Sequence, residues 1–182
     1  MTRTLQLARG RRKPRQIEVR SAQRTQARRI HALITANLHE GRLLPRALDE
    51  LTRHAPRFLV AVDRGRVVAC GELAPLSRTL AEIRSLVVDR RYRGSGVGRR
   101  LVQELREQAR LGGYERLCVF SHQPAYFAHM GFSIVPHVWL PEKIGTDCTS
   151  CALFRHCGQF AMLDDLELTR ELRASQGFVA HA

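Results

Sequence analysis

Residues 83–98 read IRSLVVDRRYRGSGVG and are followed by RRLVQELREQARLGG at 99–113. The apolar run Leu86-Val87-Val88 leads through Asp89 and Tyr92 into Arg93-Gly94-Ser95-Gly96-Val97-Gly98. Beyond the loop, Leu101, Val102, Leu105 and Ala109 share one helical face and Gly112-Gly113 ends it, so the spacing predicts a helix over 99–111. Glycines let successive backbone N–H groups turn toward one point, and the following helix start adds the positive end of its dipole. The product is an anion seat suited to a phosphate or pyrophosphate, with Arg91, Arg93, Arg99 and Arg100 around it. The alternative is an ordinary glycine-rich turn beside a solvated arginine cluster. Two familiar phosphate loops are excluded. A Walker loop needs a Lys after its last glycine, and none follows Gly98. A dinucleotide fingerprint needs Gly-x-Gly-x-x-Gly at the first βα turn, whereas the spacing here is Gly94-x-Gly96-x-Gly98 after several strands.

Working outward, 81–89 predicts the strand that feeds the loop. Residues 57–63 and 66–73 predict a hairpin around Asp63-Arg64-Gly65-Arg66. Gln16–Arg20 alternates as a short strand. Ser21 is the expected cap of a helix reaching about Glu40, with Ala27, Ile30, Leu33, Ile34 and Leu38 at helical spacing. A short second helix is expected over 46–54. Downstream, 116–121 (RLCVFS) is apolar enough for a central strand, and 124–130 predicts a short helix with Pro124 in its first turn. A last strand over 159–164 and an amphipathic tail helix near 166–174 complete the reading. The order predicts an α/β domain on one mixed sheet flanked by helices. It spans 16–182 as a single domain, preceded by a basic, disordered tail at 1–15.

The chain has 182 residues, 44% hydrophobic and 26% charged. That is enough for one domain with a real core, and no apolar run is long enough to span a membrane. The formal charge is +13. Only Lys13 and Lys143 are lysines, so 28 of the 30 basic residues are Arg, a bias that GC-rich codons produce. Residues 1–16 hold six basic residues and no acid, leaving 24 basic against 17 acidic residues elsewhere. A nucleic-acid-binding module is the competing class, but neither helix-turn-helix nor zinc-finger spacing is present, and aromatics do not interleave with the basic residues. Residues 1–16 lack an apolar stretch. They also fit an organellar transit peptide, and the basic tail is preferred. Five cysteines, an odd number without a secretory signal, point to reduced thiols in a cytoplasm. Cys148-x-x-Cys151-x5-Cys157 is a zinc-site alternative, but one CxxC knuckle is half of the usual pattern, so no metal is expected.

Leu86-Val87-Val88-Asp89 with Tyr92-Arg93-Gly94-Ser95-Gly96-Val97-Gly98 resembles the acetyl-CoA signature of the GNAT superfamily of N-acetyltransferases. Ala125-Tyr126-Phe127-Ala128-His129-Met130-Gly131-Phe132 is similar to its second signature, a short helix ending in Gly-Phe. Together they cover roughly residues 16–165. The resemblance implies acetyl-CoA as cosubstrate, with its pyrophosphate on the backbone of Arg93, Gly94, Ser95, Gly96, Val97 and Gly98, flanked by Arg99. It further implies that the strands ending near Val88 and Ser121 splay apart, with the pantetheine arm between them against Leu86, Val87 and Val88. Dimers are common in the superfamily, so a homodimer is a partner state it allows. A narrower resemblance to the bacterial amino-acid N-acetyltransferases, the N-acetylglutamate synthases, rests on four segments. These are Ala81–Leu86, Leu140–Ile144, Asp147-Cys148-x-x-Cys151 with Cys157, and Glu40–Arg46. It implies transfer of the acetyl group to the α-amino group of L-glutamate, the first step of arginine biosynthesis. Many members carry a kinase-like domain ahead of the acetyltransferase, and this chain reads as a short form without one.

Acetyl transfer to an amine needs a free amine, a stabilised oxyanion and a route for protonating the leaving thiolate. Strand alternation predicts Glu82, Arg84, Leu86 and Val88 on one face. Glu82 resembles the glutamate that several acetyltransferases use as base, and an ion pair with Arg84 is its alternative. Ser121 matches a position proposed to protonate the thiolate; a turn or cap hydroxyl is the alternative. The superfamily's usual acid, a Tyr four residues before the Gly-Phe glycine, is Phe127 here, which leaves Tyr126 or Ser121 as substitutes. By resemblance, Arg46, Lys143 and Arg84 are the cations for a substrate with two carboxylates, and surface charge is the alternative for each. A non-catalytic acetyl-CoA-binding subunit would keep the glycine loop without needing Glu82 or Lys143.

Overall fold

The computed structural model describes residues 17–40 and 43–167. The predicted tail at 1–15 and the tail helix beyond 167 lie outside the described residues. The strands are β1 (Ile17–Ser21), β2 (Phe58–Asp63), β3 (Arg66–Pro75), β4 (Leu80–Val88), β5 (Arg116–Ser121), β6 (Ser133–Val135) and β7 (Phe160–Asp165). They form one seven-stranded sheet in the order β1-β2-β3-β4-β5-β7-β6. Only β4 and β5 pair in parallel, so the sheet is mixed, and β5 is central as its composition predicts. Helices α1 (Ala27–Thr35), α2 (Leu48–His54), α3 (Val97–Leu111), α4 (Pro124–Ala128) and α5 (Pro141–Lys143) flank it.

Most expected elements are present, with instructive shifts. The β2–β3 hairpin turns on Arg64 at φ 49° and Gly65 at φ 77°, two consecutive left-handed residues that match the twist of the flanking strands. Ser21 belongs to β1 and caps no helix. The Gln23 backbone N–H instead donates to Gln26 Oε1 at 3.0 Å, starting a 3-10 turn ahead of α1. The long helix expected to Glu40 stops at Thr35. Asn37 turns back, its Nδ2 donating to the Leu33 carbonyl at 2.7 Å, and a separate 3-10 turn covers Leu38–Glu40. The sequence reading missed the three-residue β6. It also missed the helical stretch formed by α5 and the π-helical turn Ile144–Cys148.

The core has two main faces. Leu101, Val102, Leu105 and Ala109 of α3 pack on Ala61, Ala69, Ala81, Ile83, Leu117 and Met162. Each fully buried Leu there contributes about 1.5–3 kcal/mol of transfer free energy. The opposite face holds Ile30 and Ile34 of α1 and Leu51 of α2 against Phe58, Val60 and Val87. Arg106 fastens α3 to β7. Its buried guanidinium donates to Asp164 at 2.5 Å and to the Met130 carbonyl at 2.6 Å. Such a pair is costly to break, because either partner alone would be an uncompensated buried charge.

Candidate active site

Strand β4 carries the site. Its pairing with β5 ends at Ile83–Val119, although β4 runs on to Val88 and β5 to Ser121, so the two strands part there. On the other edge the β3–β4 register shifts between Cys70 and Glu72, and Ser85 adopts φ 49°. A non-glycine residue in that region costs about 1–3 kcal/mol. The conformation is held because Ser85 Oγ accepts a hydrogen bond from Arg46 Nη1 at 2.9 Å. This bulge overturns one expectation. Ala81 and Ile83 pack into the α3 core, so Glu82 and Arg84 face the other way, yet Leu86 and Val88 pack into the α3 core too. A single irregular residue moves every later side chain to the opposite face, and the predicted common face of Glu82, Arg84, Leu86 and Val88 is split in two.

The glycine loop has the expected build. Gly94 and Gly96 sit at φ 72° and 83°, and Gly96 precedes α3 with no side chain to cap it. The helix begins at Val97, two residues earlier than expected, so Val97 and Gly98 form its first turn. At Gly98 a Cβ would stand 2.7 Å from Tyr126 Oη and 3.3 Å from Val88 Cγ2, so α4 and β4 side chains pack directly against α3 there. Side chains brace the loop from outside. The Ser95 hydroxyl donates to the Tyr92 carbonyl, and Tyr92 Oη donates to Asp63 at 2.7 Å. Arg93 donates to the Val88 carbonyl at 3.1 Å and to Asn37 Oδ1 at 2.8 Å, and it pairs with Glu40 at 3.0 Å. The four arginines expected around a phosphate therefore divide. Arg93 and Arg99 line the cleft, whereas Arg91 pairs with Asp89 and Arg100 donates to the Ile17 carbonyl.

One cleft of about 890 Å³ joins this loop to a charged region, where Arg46, Glu50, Glu82, Arg84, Lys143 and Asp147 line it. Glu82 is buried and does pair with Arg84, at 2.5 Å, and also with Lys143 Nζ, at 2.8 Å. Asp147 closes the cluster by accepting from Lys143 at 2.9 Å and from Arg84. Lys143 Nζ also lies 5.3 Å from the centre of the Phe120 ring. Arg46 makes a two-pronged contact with Glu50 through Nε and Nη2, the shortest prong being 2.7 Å, and meets buried Glu72 at 2.9 Å. Burial works against the charge of Arg46 and of Arg84, but their carboxylate partners outweigh it and raise both pKa values. The hydrogen bond from Arg46 holds the Glu50 carboxyl below its usual range, against a smaller opposing effect of burial.

The two acid candidates differ in setting. Ser121, at the open end of β5, lines the cleft, and its Oγ accepts the Gln123 backbone N–H at 3.0 Å. It therefore fills the turn role that was its alternative while remaining at the site. Tyr126 packs beside Gly98, at the glycine loop. Burial raises its pKa, opposed by the nearby Arg99, so the phenol is protonated at neutral pH. Leu86, Val87 and Val88 line the cleft as expected. Cys151 lines it too, but among the described residues no group of three His, Cys, Asp or Glu side chains is placed to hold a metal. The zinc alternative at Cys148, Cys151 and Cys157 is not assembled, and all five thiols are free. No helix among the described residues is long and apolar enough to cross a membrane. The sequence reading missed Ser85, Glu50, Glu72 and Asp147. Glu50 and Asp147 each stand four residues after a candidate cation, a spacing that was readable. Nothing local marks Glu72.

A model of the Acetyltransferase (GNAT) family matches residues 24–132, more than half of the chain. The chain belongs to this family. As a GNAT acetyltransferase it takes its acetyl group from acetyl-CoA and transfers it to an amine, and the features of the cleft fit that donor. The parted strands leave a slot, and the uncapped first turn of α3 offers N–H groups at its mouth. An uncharacterized N-acetyltransferase of Chlorobaculum tepidum is 32% identical over 81% of this chain and 96% of its own length. An amino-acid acetyltransferase of Mycobacterium tuberculosis is 35% identical over 50% of this chain, which spans about half of that relative's length. The N-acetylglutamate synthase of Neisseria gonorrhoeae, solved with coenzyme A and N-acetyl-glutamate, superposes with a TM-score of 0.75 at 26% identity. That match covers 85% of this GNAT chain and 36% of the synthase.

Proposed function

We propose that this acetyltransferase acts on the α-amino group of a free amino acid, with L-glutamate as the acceptor. The observation that carries the reading is the convergence of Arg46, Arg84 and Lys143 with buried Glu82 in one cleft, beside the point where β4 and β5 part. Fixed cations suit a substrate with two carboxylates, and a buried carboxylate suits an incoming ammonium. A glutamate acceptor would place the reaction at the start of arginine biosynthesis.

Acetyl-CoA supplies an activated acetyl thioester. The backbone of 93–98 and the first turn of α3, with Arg99, hold its pyrophosphate, and the strand edge at 86–88 holds the pantetheine arm. Glu82 accepts a proton from the acceptor's ammonium, directly or through a water, and frees the lone pair that attacks. Arg84 and Lys143 hold the Glu82 carboxylate in place. Asp147 shares both cations, so their charge does not fall on Glu82 alone. Ser121 relays to the departing sulfur the proton that the attacking nitrogen sheds, giving its own hydrogen and taking that one in exchange; its oxygen already accepts from Gln123 and leaves its hydrogen free. Tyr126 is the second candidate for that proton, and its contact with Gly98 puts it on the nucleotide side.

The test is mass spectrometry of products after incubating the protein with acetyl-CoA and a panel of amino acids, polyamines and peptides. N-acetylglutamate as dominant product is the expected result. Acetylation of another amine would remove the glutamate assignment and keep the acetyltransferase. Binding of acetyl-CoA with no product from any acceptor would favour a non-catalytic subunit.

A further inference from the structure

Two acceptor-side cations are held by the same device. Arg46, just ahead of α2, and Lys143, in α5, each meet one carboxylate four residues later, Glu50 of α2 and Asp147 of the π-helical turn. Each also meets a second carboxylate from an adjacent strand, Glu72 of β3 or Glu82 of β4. The strand acids are 1% and 4% exposed, while Glu50 and Asp147 are 32% and 31% exposed and line the cleft. Every pair thus has an inner, buried acid and an outer, wetted one.

The donor geometry says which acid can be exchanged. Glu50 occupies the Nε–Nη2 fork of Arg46, the face that grips a carboxylate with two hydrogen bonds, while Nη1 is taken by Ser85. A substrate carboxylate seeking that grip must take the place of Glu50. Asp147 lies across Arg84 and Lys143 in the same manner, bridging two cations with one carboxylate. Removing an inner acid would strand a buried cation. An outer i,i+4 pair in contact with water is a weak one, so its displacement is easy. The local balance points the same way. Four acids face the three fixed cations Arg46, Arg84 and Lys143, with the His54 ring 3.3 Å from Glu72, so no cation face is left open to a dicarboxylate until the outer acids yield.

We propose that Glu50 and Asp147 are specificity-determining placeholders, whose carboxylates occupy in the free enzyme the cation faces that the two acceptor carboxylates take over. The proposal rests on the glutamate reading above. It assigns the outer acids a competitive role, opposite in sign to that of groups that merely position the cations.

The test uses the full chain, with Glu50→Gln and Asp147→Asn made singly and kinetics read against L-glutamate. Glutarate, which carries the two carboxylates without the amine, serves as a competitive inhibitor. Each variant is expected to lower the KM for glutamate and the glutarate inhibition constant together by about two- to tenfold, so that kcat/KM rises. An amine acceptor without a carboxylate shows no such gain. A higher KM in both variants, or a glutarate constant that does not move, overturns the placeholder role. If the wild-type protein acetylates a different amine and not glutamate, the glutamate reading fails on its own. Glutarate competition is then measured against that amine. Tighter glutarate binding in both variants supports the placeholders, and unchanged or weaker binding overturns them.

Discussion

The two ends of the cleft, the glycine-loop end proposed for acetyl-CoA and the charged end proposed for the acceptor, are built from different materials. The glycine-loop end is mostly backbone: a glycine loop, the first turn of α3 and a stretch of β4 that has left β5 while still paired with β3. Its side chains serve as braces, as when Arg93 ties the loop to Asn37 and Val88. The acceptor side is a network of side chains from α2, β3, β4, α5 and the π-helical turn, bound by ion pairs. Backbone presents the same N–H groups whatever the neighbouring residues, which suits a ligand shared by a whole family. Side chains from five elements can be exchanged one by one, which suits an acceptor that differs among its members.

The largest expected effect lies on the acceptor side. Glu82→Gln should lower kcat by about 100-fold or more if Glu82 takes the proton, with acetyl-CoA affinity retained. Steady-state kinetics beside calorimetric titration of acetyl-CoA separates the two quantities. Loss of both together would show that the halves are not independent. On the nucleotide side, Gly96→Val forces a branched side chain onto a residue at φ 83°. The strain is about 1–2 kcal/mol, so acetyl-CoA should bind about tenfold more weakly. The KM for the acceptor should move far less, and an equal change in both would break the distinction.

An effect of the same size is expected from Arg46→Met. It removes one cation while keeping much of the side chain's apolar bulk, and it should raise the acceptor KM by about tenfold with acetyl-CoA affinity unchanged. Initial rates at saturating acetyl-CoA decide it. The smallest effect concerns pH. The Glu50 carboxyl is held down by Arg46, so its contribution to stability is present above the unfolded value near 4.5 and is lost as pH falls through the lower folded value. Because Glu50 is partly exposed, the contribution is well under about 1 kcal/mol. Urea melts of wild type and Glu50→Gln should differ slightly at pH 7 and converge in acid; a difference that persists in acid would assign the effect to packing.

The sequence was most readable where function depends on local chain geometry. Gly94, Gly96 and Gly98 directly ahead of an amphipathic helix announce the loop, because spacing and turn chemistry are properties of neighbouring residues. Glu82, Arg84, Lys143 and Arg46 were reachable as candidates by resemblance, but their partners were not. Glu50 and Asp147 sat one helical turn from a candidate cation, yet the helical turn carrying Asp147 was itself unrecognised. Glu72 lies 26 residues after Arg46, and only the β2–β3 hairpin brings it beneath that guanidinium.

By itself, then, the sequence determined the mixed α/β order, the glycine loop and the helix behind it, because periodicity and glycine conformation act over a few residues. Tertiary structure alone decided where β4 and β5 part, which face Leu86 and Val88 present after the bulge at Ser85, and which carboxylates hold each cation. Those outcomes depend on register between strands far apart in the chain, where one irregular residue reverses a face and no local pattern records it.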